Sequence, residues 1–326
     1  MYPVLLRVPP QAVGYLLAGL VAVIVIWIIW DLRRHGARAD LLADMLIPLV
    51  VFGLLFGIPF LQHRSVQLYS YGLMLMLALA AGIAWSVREA HRRCLPAEII
   101  LDLALAVVIS GLVGAKLLFM LLNLGHYAKQ PMDMVTEWQS GLSFHGGLAA
   151  GVIAGIWFAR SRKLSFWLLA DIVAPALALG YSIARIGCFL RGCCYGVATN
   201  LPWGLRFVED LRDYDPAHWI WQPEAHHPTQ LYASLSSLAI FFVLLWARDR
   251  FSARGQLFFL YLALYGVARG LIEILRRGDT AIAVLGPITQ AQIASIVLVI
   301  VSVWAILRLG RSSTTNGQHP KPTRAR

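Results

Sequence analysis

Apolar positions run along this chain in long, nearly unbroken stretches, and polar positions gather in short segments between them. Stretches able to cross about 30 Å of hydrocarbon lie at roughly 12–30, 41–61, 68–86, 98–122, 142–159, 165–187, 229–247, 256–275 and 286–308. In lipid only helices and closed barrels satisfy every backbone N–H and C=O, and these runs are helix-length. The pattern predicts an all-α integral membrane protein of about nine transmembrane helices. Neither a repeat nor a compositional break divides it, so residues 1–310 read as a single polytopic domain. The longest segment between spans, 191–228, carries Trp203, Trp219, Trp221 and His226-His227 and is expected to fold as a small outer-side cap rather than a plain loop.

Composition excludes a water-soluble domain. Of the 326 residues 59% are hydrophobic and 14% charged, and mean hydropathy is +0.67. The first residues lack a basic leader, a short apolar core and a small-residue cleavage site, so the first span is expected to stay in place.

The formal net charge of +11 would suit nucleic acid, but its distribution argues for topology instead. Segments 31–40, 87–97, 160–164, 248–254 and 308 onward hold 17 Lys and Arg, against 8 in the alternate segments. The positive-inside rule then puts the C-terminus in the cytoplasm and, with nine spans, the N-terminus outside. Residues 311–326, rich in Ser, Thr, Pro and basic side chains, read as a disordered basic cytoplasmic tail, and no nucleic-acid partner is expected.

With each helix's direction set, polar residues acquire a depth at about 1.5 Å per residue. Tyr71, Lys116, His145, Arg185, His227, Gln230, Tyr232, Arg269, Glu273 and Gln292 all fall in the outer half. Charges at that depth cost about 2.5–3.5 kcal/mol each, so they face the bundle interior and mark a pathway or a site. Tyr265, Arg269 and Glu273 recur every fourth residue and form one stripe, on which Arg269 and Glu273 can pair. Adding Arg185 and Lys116 leaves more cation than one Glu neutralises. That surplus suits a phosphate anion, which Arg grips with two parallel hydrogen bonds. His145 could take a proton near neutral pH or simply bond at the interface, and Gly146 and Gly147 permit close approach of a helix or a lipid. Pro175 and the small residues from Gly180 to Gly187 fit either a bent helix beside a cavity or ordinary packing.

These residues sit in recognisable motifs: Tyr69-Ser-Tyr71-Gly-Leu-Met, Ser143-Phe-His145-Gly-Gly, Asp171-Ile-Val-Ala-Pro175 through Ala184-Arg185-Ile-Gly187, His227-Pro-Thr-Gln230-Leu-Tyr232, and Tyr265-Gly-Val-Ala-Arg269-Gly-Leu-Ile-Glu273. In that order they resemble the bacterial prolipoprotein diacylglyceryl transferases. The resemblance covers Met1 to about Pro9 and then Tyr69 to the last span, so residues 11–64 look like a two-helix insertion into a seven-span core.

The resemblance implies a multi-pass protein of the bacterial inner membrane. It would move a diacylglyceryl group from phosphatidylglycerol to the lipobox cysteine of a preprolipoprotein peptide, releasing glycerol phosphate, with no cofactor or metal. His145 would be the base. Arg185 and Arg269 would hold the phosphate and Glu273 would orient Arg269. Tyr71, Lys116, Ser143, Gly146, Gly147, Gln230 and Tyr265 would contact the phospholipid.

The departures carry information too. Cys188 and Cys193 stand where the family signature has an Asn and a Glu, and Lys116 stands where it often has Arg. Cys188, Cys193 and Cys194 lie within seven residues; a disulfide, small buried apolar groups, a reactive or acceptor thiol, and a metal site with His226 and His227 nearby all remain open. A relative with another acceptor, or a lipid binder without turnover, also remains open.

Overall fold

The computed structural model describes residues 4–8, 66–130, 132, 141–208, 221–276, 283–285 and 288–315. Its elements in chain order are β1 (Val4–Val8), β2 (Val66–Tyr69), α1 (Ser70–Arg92), α2 (Ala97–Leu122), α3 (Leu124–Tyr127), α4 (Phe144–Ser161), α5 (Phe166–Arg191), α6 (Thr229–Ala247), α7 (Gln256–Ile274), β3 (Ala283–Leu285), β4 (Ile288–Thr289) and α8 (Gln290–Thr315). Helices α1, α2, α5, α6 and α7, together with Gln290–Arg311 of α8, are each long and apolar enough to cross a membrane, six among the described residues.

Large apolar side chains stand exposed along these helices, among them Leu105, Leu112 and Leu121 on α2 and Ile300 and Trp304 on α8. Water would not tolerate so much apolar surface, whereas acyl chains would. The chain is an integral membrane protein. The expected spans at 12–30 and 41–61 lie outside the described residues. The expected span at 142–159 is α4, which carries His145, Arg160 and several glycines and is less apolar than the other six.

Two features differ from the all-helical expectation. Short antiparallel pairs join β1 to β2 and β3 to β4, because backbone groups outside the spans still need partners. The first pair brings together residues that flank 11–64. Helix α8 also continues to Thr315, into the expected tail.

The chain divides into two compact units. One comprises Met1–Leu73, Leu190–Gly192 and Val208–Ile220, and the other Met74–Phe189, Cys193–Phe207 and Trp221–Arg326. In the larger unit α2 packs on α4, and α7 packs on α6 and α8. The α2–α4 seam depends on glycine. A Cβ on Gly114 would sit 2.7 Å from the Gly146 carbonyl oxygen, and one on Gly147 would sit 3.2 Å from that of Gly111. Gly114→Val should therefore force the helices apart and cost about 1–3 kcal/mol, read as a lower thermal midpoint in detergent; an unchanged midpoint would refute the seam.

On α5 and α6 the seam is built from serines. Ser234 Oγ donates to the Ser182 carbonyl at 2.9 Å, Ser237 Oγ donates to that of Ala178 at 2.8 Å, and the Ser182 and Ser234 hydroxyls are 3.1 Å apart. The α7 N-terminus is capped from α5, where buried Asp171 accepts from the Gly255 and Phe258 amides at 2.6 and 2.9 Å. Buried Glu89 gathers Arg92, Arg93 and Arg248 at 3.0–3.3 Å, and Arg162 pairs with Asp102. These ion pairs collect the basic residues at the end of the helices that the charge pattern assigns to the cytoplasm.

Candidate active site

At the other end, the last turns of α5 and α7 and the first half of α6 enclose a cleft of about 400 Å³, counting its open mouth. Tyr181, Arg185, Cys194, Thr229, Ser236, Ser237, Tyr265, Arg269 and Arg276 supply its polar lining. Three guanidinium groups converge there, and no carboxylate is among the lining residues.

Two of the three are held by neighbours on their own helices. Arg185 lies 4.7 Å from the Tyr181 ring centre and donates to the Tyr181 hydroxyl at 2.5 Å. The Tyr181 ring meets that of Tyr265 edge-on at 5.5 Å, and Tyr265 in turn packs against Tyr261 at 6.0 Å. Arg269 donates to the carboxylate of Glu273, one turn along α7. Glu273 is 3% exposed, and its other oxygen faces the Thr289 hydroxyl at 3.5 Å. Thr289 is itself fixed by reciprocal bonds with Gln292, at 3.0 and 3.3 Å.

The segment after α5 closes one side of the cleft. Gly192 and Cys194 take left-handed backbone angles, φ +77° and +65°, which fold the chain back so that the Cys193 amide bonds the Cys188 carbonyl at 3.1 Å. From α6, Gln230 Nε2 and Thr229 Oγ1 hold the carbonyls of Cys193 and Cys194, each at 2.7 Å. Gly196 lies so close to α7 that a Cβ there would meet the Leu275 carbonyl at 2.5 Å. Beyond it, Tyr195 stacks on buried Phe207 at 4.7 Å and accepts from Gln222 at 2.6 Å.

The sulfurs of Cys188, Cys193 and Cys194 lie within 4.8 Å of one another, and all three residues are unlinked thiols. Hydrogen bonds from the Cys188 and Cys193 thiols, helped by Arg276 and Arg185, hold the Cys194 thiol below its ordinary pKa against the effect of burial. The Cys193 thiol is pushed up, because it donates to its neighbours and is buried.

The sequence candidates thus fall into separate groups. Arg185, Tyr265, Arg269 and Cys194 line the cleft, Glu273 supports Arg269, and Gln230 supports the cysteine turn. On the α2–α4 pair, the Ser143 amide bonds the Ala115 carbonyl at 3.0 Å beside buried Lys116, whose Nζ is 5.8 Å from the Phe119 ring centre. Gly146 and Gly147 face α2 there, and exposed His145 sits on the first turn of α4 against Phe144. None of these α2 and α4 residues lines the cleft. Tyr71 belongs to the smaller unit, where Arg191 lies over its ring at 5.9 Å. Tyr181 and Arg276 escaped the sequence reading although their spacing could have found them. Tyr181 is one turn before Arg185, and Arg276 is two turns after Arg269.

Comparison with known proteins decides the family. The prolipoprotein diacylglyceryl transferase pattern matches residues 59–308. The chain belongs to that family. A phosphatidylglycerol–prolipoprotein diacylglyceryl transferase of Geobacillus kaustophilus is 38% identical over 260 residues, covering 76% of this chain and 92% of the relative. The enzyme of the same name from Thermosynechococcus vestitus is 34% identical over 251 residues, covering 76% and 91%, and that of Geobacter sulfurreducens is 34% identical over 244, covering 72% and 88%. The transferase family's pattern takes in the whole arginine cleft and the cysteine turn; it starts at residue 59, so most of 11–64 lies ahead of it.

Proposed function

We propose that this protein transfers the diacylglyceryl group of phosphatidylglycerol to the thiol of a preprolipoprotein lipobox cysteine and releases glycerol phosphate. The convergence of Arg185, Arg269 and Arg276 on one cleft at the helix ends away from the basic loops is the observation that carries it. The chain crosses the bacterial inner membrane nine times, as a seven-span core with an inserted pair at 11–64, its C-terminus cytoplasmic and its cleft opening outward.

In this reading the lipid phosphate sits between Arg185 and Arg269, with Arg276 at the mouth. The acceptor sulfur, as thiolate, attacks the glyceryl carbon next to the phosphate. A C–S bond forms as the C–O bond to phosphate breaks, and the electron pair stays on the phosphate oxygen. Guanidinium donors fixed before the reaction stabilise that growing charge without reorganising. Tyr181 holds Arg185 and Glu273 holds Arg269 in place. Tyr71 and Ser143 would contact the lipid outside the cleft, and His145, on the first turn of α4, would take the thiol proton before the acceptor cysteine enters the cleft, whereas buried Lys116 and the glycines Gly146 and Gly147 sit at the α2–α4 contact.

Purified protein in phosphatidylglycerol vesicles should release glycerol phosphate when given a lipobox peptide. No release where another family member works would overturn the reading. His145→Ala should keep phosphatidylglycerol affinity and lose about a hundredfold or more in rate. Undiminished turnover would remove His145 as the base. Cys188 and Cys193 at signature positions favour a second reading, a different thiol acceptor. Full rescue of lipoprotein maturation in a strain depleted of its own transferase would exclude it.

A further inference from the structure

The three thiols beside the arginine cleft form a built cluster. Cys188 lies in the last turn of α5, and the left-handed Gly192 and Cys194 return the chain so that Cys193 and Cys194 face it. A non-glycine residue at φ +65° costs about 1–2 kcal/mol, so the turn persists because other contacts fix it. Those contacts are the Gln230 and Thr229 bonds to the carbonyls of the two ligand-bearing residues. Three sulfurs within 4.8 Å of one another are near the separation of about 4 Å set by metal–sulfur bonds of about 2.3 Å.

Charge also favours an ion here. Three thiolates around a divalent cation carry one net negative charge, and Arg185 and Arg276 line the same cleft as Cys194. Three protein ligands leave a fourth coordination position. Cys194 is the member of the trio that lines the cleft, so a bound ion would stand at the cleft wall.

We propose that Cys188, Cys193 and Cys194 form a three-thiolate site for a thiophilic d10 cation, Zn²⁺ in the first instance, whose open position takes the thiol of the acceptor cysteine. The second half rests on the transferase reading. On binding, the acceptor thiol loses its proton to water or to His145, because a coordinating thiol is deprotonated outright. The metal-held sulfur then forms the C–S bond as the C–O bond to phosphate breaks, the electron pair leaves on glycerol phosphate, and the ion keeps its oxidation state. The cluster would thereby supply thiol activation where the family signature has an Asn and a Glu.

The full chain, reduced and stripped with chelator in detergent, should be titrated with Co²⁺ and then Zn²⁺. One Co²⁺ per chain should bind with thiolate-to-cobalt charge-transfer absorption, and Zn²⁺ should displace it. Cys188→Ser, Cys193→Ser and Cys194→Ser should each weaken binding about a hundredfold, while Cys94→Ser, at the opposite helix end, should not. Because substitution can unfold the turn, the wild-type titration carries the test. A lipobox peptide should shift the cobalt band, and the same peptide with Ser for its cysteine should leave it unchanged. Absence of stoichiometric Co²⁺ and Zn²⁺ binding, or alkylation and mass spectrometry showing two of the three thiols joined as a disulfide in native membranes, would overturn the site. A band indifferent to the peptide, or full turnover by metal-free protein, would overturn the acceptor role and leave the transferase reading intact. A normal cobalt site in a protein that releases no glycerol phosphate would instead overturn the transferase reading.

Discussion

Arg269→Ala is expected to lower glycerol phosphate release by about a thousandfold at saturating lipid, with a much smaller change in lipid affinity. The asymmetry follows from where the charge grows. Phosphatidylglycerol already carries one negative charge shared over its phosphate, and Arg185 and Arg276 remain in the cleft to bind it. The second charge appears on a single oxygen only as the C–O bond breaks, and a donor placed at that oxygen acts on the rate rather than on binding. Arg269→Lys should recover little, because an ammonium cannot meet Glu273 and a phosphate with one planar fork. Single-turnover measurements in vesicles separate the two effects. A loss confined to affinity would show that Arg269 only binds the ground state, and a loss under tenfold would remove it from the reaction.

Much of this site could be read before the structure, and the physical reason is specific. Hydrocarbon makes each intramembrane charge costly, so Arg185, Arg269 and Glu273 stand out against an apolar background as they would not on a soluble surface. Spacing then did the rest for α7, where a four-residue interval predicted the Arg269–Glu273 pair that forms. The same interval joins Tyr181 to Arg185, whose bond forms in the structure. Arg276 lies past the end of α7 at Ile274, and the turn that follows the helix brings it to the same cleft as Arg269.

Other features depend on tertiary placement. No pattern in the chain says that Asp171 caps α7, or that Glu89, which meets Arg92 and Arg93 at helical spacing, also takes Arg248, since those partners come from distant helix ends. The cysteine trio was legible as a sequence cluster, but its use depended on backbone angles at Gly192 and Cys194 and on tethers from α6. His145 shows the opposite limit. Its motif is clear in the sequence, yet the first turn of α4 places it away from the residues that line the cleft.

The Arg269–Glu273 pair also allows structure and chemistry to be separated within one set of variants. Glu273 is almost fully buried and Arg269 only one-fifth exposed, so Glu273→Leu leaves a guanidinium facing an apolar wall without its carboxylate. Breaking a buried pair from one side costs about 3–5 kcal/mol, and this variant should unfold at a clearly lower temperature in detergent. Replacing both partners removes the stranded charge, so Arg269→Leu with Glu273→Leu should regain most of that stability. Turnover should not follow. The single variant should lose about a hundredfold or more because Arg269 is no longer aimed, and the double variant should fall at least as far as Arg269→Ala. Thermal midpoints and glycerol phosphate release measured on all three variants complete the cycle. If the double variant is no more stable than Glu273→Leu, the pair is not the buried ion pair described here. If it is stable and still turns over near the wild-type rate, α7 carries a structural salt bridge and the chemistry of the cleft rests on Arg185 and Arg276 alone.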